Sequence, residues 1–237
     1  MKRAARARTR LVTGDRPAAG SGIRAVLLLS AFEPFGGERT NPSWEVAQML
    51  DGREIGGLVV KAALLPVNTP RAVRTITAEI RRVRPRAVLG LGQAGGRPMI
   101  SLEKVAINLS ERRAGHETDG GLAGRPVVRG GADAIFARLP LRTILRALER
   151  RGIPAALSLS AGAYVCNAVM YATLHALAAR PDVQAGFIHL PYTAGQAVRH
   201  RQAPSMSIEV MTAAVEAVVA ALARAPKGRA RAPRRRG

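Results

Sequence analysis

Residues 155–191 read AALSLSAGAYVCNAVMYATLHALAARPDVQAGFIHLP. A short apolar run, Ala155 to Ser160, leads through small residues into a segment of helical period from Cys166 to Arg180. A second apolar run follows from Gln184 to His189 and is stopped by Pro191. Strand, helix and strand in so short a span is the building unit of an α/β fold.

The chain repeats this alternation upstream. Arg24 to Ser30 (RAVLLLS) is a continuous apolar run, the pattern of a strand buried on both faces. A loop with Pro34, Gly36, Gly37 and Pro42 leads to a helix from about Ser43, whose hydroxyl is placed to cap it, and Gly57 to Leu65 reads as the next strand. From Pro70, the positions Val73, Ile76, Ile80 and Val83 keep helical spacing until Pro85 stops them. Arg86 to Leu91 is a further strand, opening into the turn Gly92–Gly96. Leu141, Ile144, Leu145 and Leu148 predict a helix ended by Gly152, and Ser205 to Leu222 a long Ala/Val-rich one. The expectation is an α/β fold in which helices cover both faces of a doubly wound, mostly parallel twisted sheet, with a single domain over residues 23–222.

Composition narrows the function. With 47% apolar and 22% charged residues in 237, the chain is neither wholly disordered nor a coiled coil. Its net charge of +21 points towards nucleic acid, but residues 1–24 and 224–237 carry +13 of it. The segments 1–22 and 223–237 therefore read as disordered basic tails, and any contact to nucleic acid is expected only through them. The single cysteine, Cys166, excludes an internal disulfide and a cysteine-based zinc or iron–sulfur site, and it suits a reducing cytoplasm. No metal-binding motif is present, and Gly92-Gln93-Ala94-Gly95-Gly96-Arg97 fits neither phosphate-loop pattern, so neither metal nor cofactor is expected. That turn either brings backbone N–H groups to a small ligand or is purely structural. No run approaches a membrane span, and the basic leader lacks the apolar centre of a signal peptide. An organellar transit peptide and an over-long start before Ile23 both remain open readings of that leader.

Cys166 stands where helical period begins. A thiol there feels the positive end of the helix dipole and the unpaired N–H groups of the first turn, which favour thiolate. The alternative is an inert core cysteine. A nucleophile needs a base. His175 lies nine residues further along the same helix, roughly 13 Å away at ~1.5 Å per residue, and cannot reach. His116 and His200 lie in polar, Arg-rich loops and are expected to face solvent. His189 ends the strand after the Cys166 helix, and in a parallel sheet strand ends and helix starts share one edge. Glu103 is the best placed acid to orient the imidazole, although an exposed carboxylate paired with Lys104 or Arg97 is its ordinary explanation.

Four ordered blocks carry a resemblance. They are Phe32-Glu33-Pro34-Phe35-Gly36-Gly37 with Asn41-Pro42-Ser43; Gly92 to Arg97 with Glu103-Lys104-Val105-Ala106-Ile107-Asn108; Ala161 to Asn167; and Gly186-Phe187-Ile188-His189-Leu190-Pro191-Tyr192. Over about residues 25–222 the chain resembles the pyroglutamyl peptidase I (pyrrolidone-carboxylate peptidase) family of cysteine peptidases. The resemblance implies a three-layer α/β/α sandwich of phosphorylase/hydrolase type and removal of N-terminal pyroglutamyl residues from peptides. It implies Cys166 as nucleophile, His189 as base and Glu103 as its orienting partner. Phe32 and Phe35 match the ring-binding pair, Tyr164, Val165 and Gln93 complete the pocket, and Arg113 matches an arginine beside the site. No cofactor is implied, and a homo-oligomer, tetramer or dimer, is. Three stretches depart from the family: Ala114 to Gly120, where Ala114 loosens a pocket wall, Ala194-Gly195-Gln196 after Tyr192, and Leu65-Pro66-Val67-Asn68-Thr69, which lacks the usual aromatic end. A nucleoside phosphorylase-like transferase on the same fold would need a base pocket, which 3% aromatics argue against.

Overall fold

Side chains of β1 (Ala25–Phe32) alternate between two separate cores in the computed structural model, which describes residues 24–111 and 124–225. Leu27, Leu29 and Ala31 enter one core, Leu28 and Phe32 the other. That period of two, with no polar face, is what a strand covered on both sides requires. β3 (Leu58–Leu65) and β4 (Ala87–Gln93) flank β1, both parallel to it, and β9 (Gln184–Leu190) runs parallel beside β4. With β2 (Glu54–Ile55), β5 (Ile100–Glu103) and β8 (Ala155–Ser158) they form a seven-stranded sheet in the order β2-β3-β1-β4-β9-β5-β8. β6 (Val105–Ile107) and β7 (Ala134–Phe136) make a separate antiparallel ribbon.

Helices α1 (Pro42–Leu50), α3 (Leu141–Glu149) and α6 (Ile208–Arg224) bury Val46, Ile144 and Val215 in the core shared with Leu27 and Leu89. Helices α2 (Thr69–Val83) and α4 (Val165–Ala176) bury Ile76, Ile80 and Val169 in the core shared with Leu28 and Phe187. The result is the expected three-layer α/β/α arrangement. Burying each such aliphatic side chain stabilises the fold by about 1.5–3 kcal/mol.

Several details differ from the sequence reading. Asn41, not Ser43, caps α1: its Oδ1 accepts from the Ser43 amide, while the Ser43 hydroxyl sits inside the helix and accepts from the Phe32 amide. α4 stops at Ala176, four residues before Arg180, and α6 starts after its cap Ser207 and runs two residues past Leu222. A one-turn helix, α5 (Ala194–Ala197), follows β9. The largest difference concerns direction. β5 runs antiparallel to β9, and β8 is parallel to β5, so the segment 155–191 is not a parallel strand–helix–strand unit. The cause is the short link between Gln93 and Ile100, which spans no crossover helix and can only turn the chain back.

Candidate active site

Sheet parity selects the residues that share one face. In β9, His189 lies on the same side as Ala185 and Phe187, the side covered by α2 and α4, while Ile188 and Leu190 point to the other core. In β5, Ile100 and Leu102 enter that other core, which leaves Ser101 and Glu103 beside His189. The register pairs Ser101 with His189 and Glu103 with Phe187, so Glu103 and His189 are diagonal neighbours. Glu103 Oε1 lies 2.8 Å from His189 Nδ1. A carboxylate there takes the Nδ1 proton as its hydrogen bond and leaves Nε2 to work.

Glu103 is fully buried. Arg97 donates from Nη1 to the same Oε1 at 2.7 Å and from Nη2 to the Ser160 carbonyl at 3.1 Å, joining the glycine turn to the segment before Cys166. Burial alone pushes the Glu103 carboxyl up, but the His189 ring, with Ser158 and Arg97, overcomes this and holds it below the usual carboxylate range. The alternative of an exposed acid is thereby removed, although its pairing with Arg97 is present.

Cys166 is the second residue of α4, whose N-cap, Tyr164, makes no side-chain cap. The N-cap side chain therefore takes none of the first-turn N–H groups. A short connection joins α4 to β9, so the helix runs back along the strand and its start meets the strand's end. Cys166 and His189 thus share one end of the α4–β9 pair, and not through the parallel edge that sequence reasoning invoked. Two features hold the thiol in place. Asn167 Oδ1 accepts from the Ile107 amide, and its Nδ2 donates to the Ile107 and Leu109 carbonyls, all at 2.9 Å, which locks α4 to β6. In β4, a Cβ on Gly92 would lie 3.0 Å from Cys166 Sγ and 2.9 Å from the Phe187 ring. Only glycine lets both approach.

The site opens into a cavity of about 500 Å³ lined by Phe32, Phe35, Gln93, Tyr164, Val165, Cys166 and His189. The structure thus gathers every predicted site residue except Arg113, which, like His116 and the segment 114–120, lies outside the described residues. The tail 1–22 and residues 226–237 also lie outside them, while Ala223 and Arg224, read as the start of the tail 223–237, belong to α6. Among the described residues no group of His, Cys, Asp and Glu is arranged to hold a metal, and no helix is long and apolar enough to cross a membrane.

Sequence reasoning missed the opposite wall. His200, expected to face solvent, stacks on Tyr192 with ring centres 4.5 Å apart, and its Nε2 lies 2.7 Å from Glu38 Oε1. Arg199 pairs with the other Glu38 oxygen. Burial raises the Glu38 carboxyl, and His200, Arg199 and Gln196 together bring it below its ordinary value. Tyr192 packs so closely on Gly95 that a Cβ there would overlap its ring. The spacing Thr193-x-x-Gln196 is a capping box and was the one local signal that a turn of helix closes this wall.

Comparison with known proteins adds names to this geometry. The family model for pyroglutamyl peptidase matches residues 25–225. The pyrrolidone-carboxylate peptidase of Chromobacterium violaceum is 45% identical over 189 residues, 80% of this chain and 88% of that protein. Its namesake from Klebsiella pneumoniae is 45% identical over 192 residues, 81% and 90%. The crystal structure of pyroglutamyl peptidase I from Bacillus amyloliquefaciens superposes with a TM-score of 0.80 at 35% identity, covering 84% of this chain and 96% of that one. A mutant pyrrolidone carboxyl peptidase from Pyrococcus furiosus gives a TM-score of 0.80 at 36% identity, covering 83% and 97%.

Proposed function

The chain belongs to the pyroglutamyl peptidase family and removes N-terminal pyroglutamyl residues from peptides as a cysteine peptidase; from that premise we propose how its residues divide the work. The single observation that carries the proposal is the buried Glu103–His189 pair on the sheet face that also receives Cys166 at a helix start. Cys166 gives its proton to His189 Nε2, and Glu103 stabilises the imidazolium through Nδ1–H. The thiolate attacks the carbonyl carbon that joins the pyroglutamyl group to the next residue. First-turn N–H groups of α4 hold the developing oxyanion. His189 then protonates the leaving amine and the C–N bond breaks, leaving a thioester. Water gives a proton to His189, adds to the thioester and expels the thiolate, which releases pyroglutamic acid.

Selectivity for a blocked terminus follows from the walls. Pyroglutamate is a neutral lactam, and Phe32, Phe35 and Val165 supply apolar surface for its ring, with Tyr164 at the mouth and Gln93 as the polar contact. Glu38 is the acid in that lining, and its two oxygens are engaged by His200 and Arg199. It therefore offers no partner to the free α-ammonium of an ordinary peptide.

The catalytic unit is one domain, residues 23–222 extended by the end of α6. A homo-oligomer, dimer or tetramer, is supported by the exposed Leu157 of the edge strand β8 and Leu159 just after it, an apolar patch that a second subunit would cover. A cytoplasmic location is supported by the lone thiol, which must stay reduced to act. Release of amine from a pyroglutamyl amide, with glutamyl and prolyl amides as controls, tests the assignment. Cleavage of the lactam substrate alone is expected, and equal cleavage of the glutamyl amide would overturn it.

A further inference from the structure

The pocket amide of Gln93 is held by a neighbour that no catalytic step uses. Gln93 Oε1 accepts a 2.8 Å hydrogen bond from Gln196 Nε2. The two ends of an amide are nearly identical in shape, so its direction must be read from its partners. Here two backbone groups of fixed polarity settle it. The Thr193 N–H, which can only donate, lies 3.1 Å from Gln196 Oε1. The Thr40 carbonyl, which can only accept, lies 3.3 Å from Gln196 Nε2. Gln196 must therefore present N–H to Gln93, and Gln93 must answer with its oxygen. The NH2 group of Gln93 is then left for the cavity that Gln93 lines beside Cys166 and His189. Gln196 is 1% exposed and Gln93 8%, so water competes little for these bonds.

We infer that Gln196 is a specificity-determining positioning residue: it fixes the Gln93 amide so that its NH2 donates to the ring carbonyl oxygen of the pyroglutamyl group. The inference rests on the proposed reading of the pocket. A proline ring carries CH2 where the lactam carries C=O, offers no acceptor, and would leave that buried donor unpaired. The four-residue helix α5 has its own purpose in this scheme, because its capping box orients Gln196 and Gln196 orients Gln93.

Steady-state kinetics on a pyroglutamyl amide test the inference, in wild type, Gln196→Glu, Gln196→Met, Gln93→Leu and the double variant Gln93→Leu/Gln196→Glu. Gln196→Glu sets an acceptor against Gln93 Oε1, so the Gln93 amide turns over and aims its own oxygen at the ring carbonyl. KM then rises about tenfold to a hundredfold while kcat stays within about twofold, because the contact is equal in ground and transition states. Gln196→Met frees the amide without reversing it and raises KM by less, about threefold. It also serves if the glutamate variant does not fold. In the Gln93→Leu background the second change adds nothing, and alkylation of Cys166 by iodoacetamide keeps its rate in every variant. A KM unmoved by either Gln196 variant, or raised equally with and without Gln93, overturns the inference. Wild type that fails to cleave the pyroglutamyl amide overturns the activity itself, which is a separate result.

Discussion

Glu103→Gln is the substitution whose effect the geometry bounds most tightly. The carboxylate is fully buried, and a single oxygen serves both His189 Nδ1 at 2.8 Å and Arg97 Nη1 at 2.7 Å. A glutamine can meet this site in two ways. With its oxygen in the Oε1 position both bonds survive as neutral-acceptor bonds, and His189 keeps its working tautomer. With its NH2 there, the tautomer reverses, an outcome that costs about 10⁴-fold in a serine triad. Arg97 decides between them, because a guanidinium 2.7 Å away cannot accept a hydrogen bond and excludes the NH2 group. The bond to His189 then loses only its charge, while the NH2 group takes the buried Oε2 position. Bonds to a charged partner contribute about 1.5–3 kcal/mol against about 0.5–1.5 for neutral ones, a difference near 1–2 kcal/mol. Applied to the steps in which His189 is cationic, this lowers kcat by about 5- to 30-fold. The assay is hydrolysis of a pyroglutamyl amide, with thiolate absorbance in the ultraviolet reporting the Cys166 proton. Adding Arg97→Met frees the amide to reverse, and the combined loss exceeds the product of the two single losses. A Glu103→Gln loss below twofold, or beyond about a thousandfold in folded protein, refutes the reasoning.

Gly92→Ala drives a Cβ to 3.0 Å from Cys166 Sγ and 2.9 Å from Phe187, so we expect kcat to fall at least about tenfold with a loss of about 1–3 kcal/mol in stability, checked by kinetics and denaturant unfolding. Asn167→Ala leaves the Ile107 amide without its acceptor and frees α4 from β6; it should destabilise by about 2–4 kcal/mol and slow alkylation of Cys166. Glu103 and Glu38 both have carboxyls lowered in the fold from the ordinary 4.5, so their contribution is present above that value and is lost as pH falls through the depressed ones. Melting temperature should hold from neutrality to about pH 5 and drop below about pH 4, with a shallower acid slope in Glu103→Gln; a flat profile to pH 3 would contradict the buried pairing.

Much of this molecule is legible in its sequence, for a physical reason. A strand buried on both faces writes its position as an unbroken apolar run, as Ala25–Phe32 and Ala87–Gln93 do, and Pro70, Pro85 and Gly152 mark helix ends through backbone geometry alone. Strand direction is different, because a period of two reads the same forwards and backwards. The run Ala155–Ser160 was legible as a strand but its direction was not, β5 was not read as a strand, and the meeting of Cys166 with His189 was reached from a parallel unit that does not exist. Glu103 was nameable from its place beside the glycine turn, but only the resemblance separated it from an ordinary exposed acid, since spacing does not reveal that a carboxylate is buried. Contacts between distant positions had no local signature at all: Gln93 and Gln196 are 103 residues apart, Glu38 and His200 162. Their encounter depends on how the glycine turn and α5 close over the end of the sheet.

The most direct test of the central claim is amine release from a pyroglutamyl amide by purified, reduced wild type beside Cys166→Ala and Cys166→Ser, each shown to be folded. The account predicts turnover by wild type, none by either variant, and none by any of the three on the matching glutamyl amide. Turnover by folded Cys166→Ala at more than about a thousandth of the wild-type rate would contradict it, because this chain has no second thiol to take the acyl group.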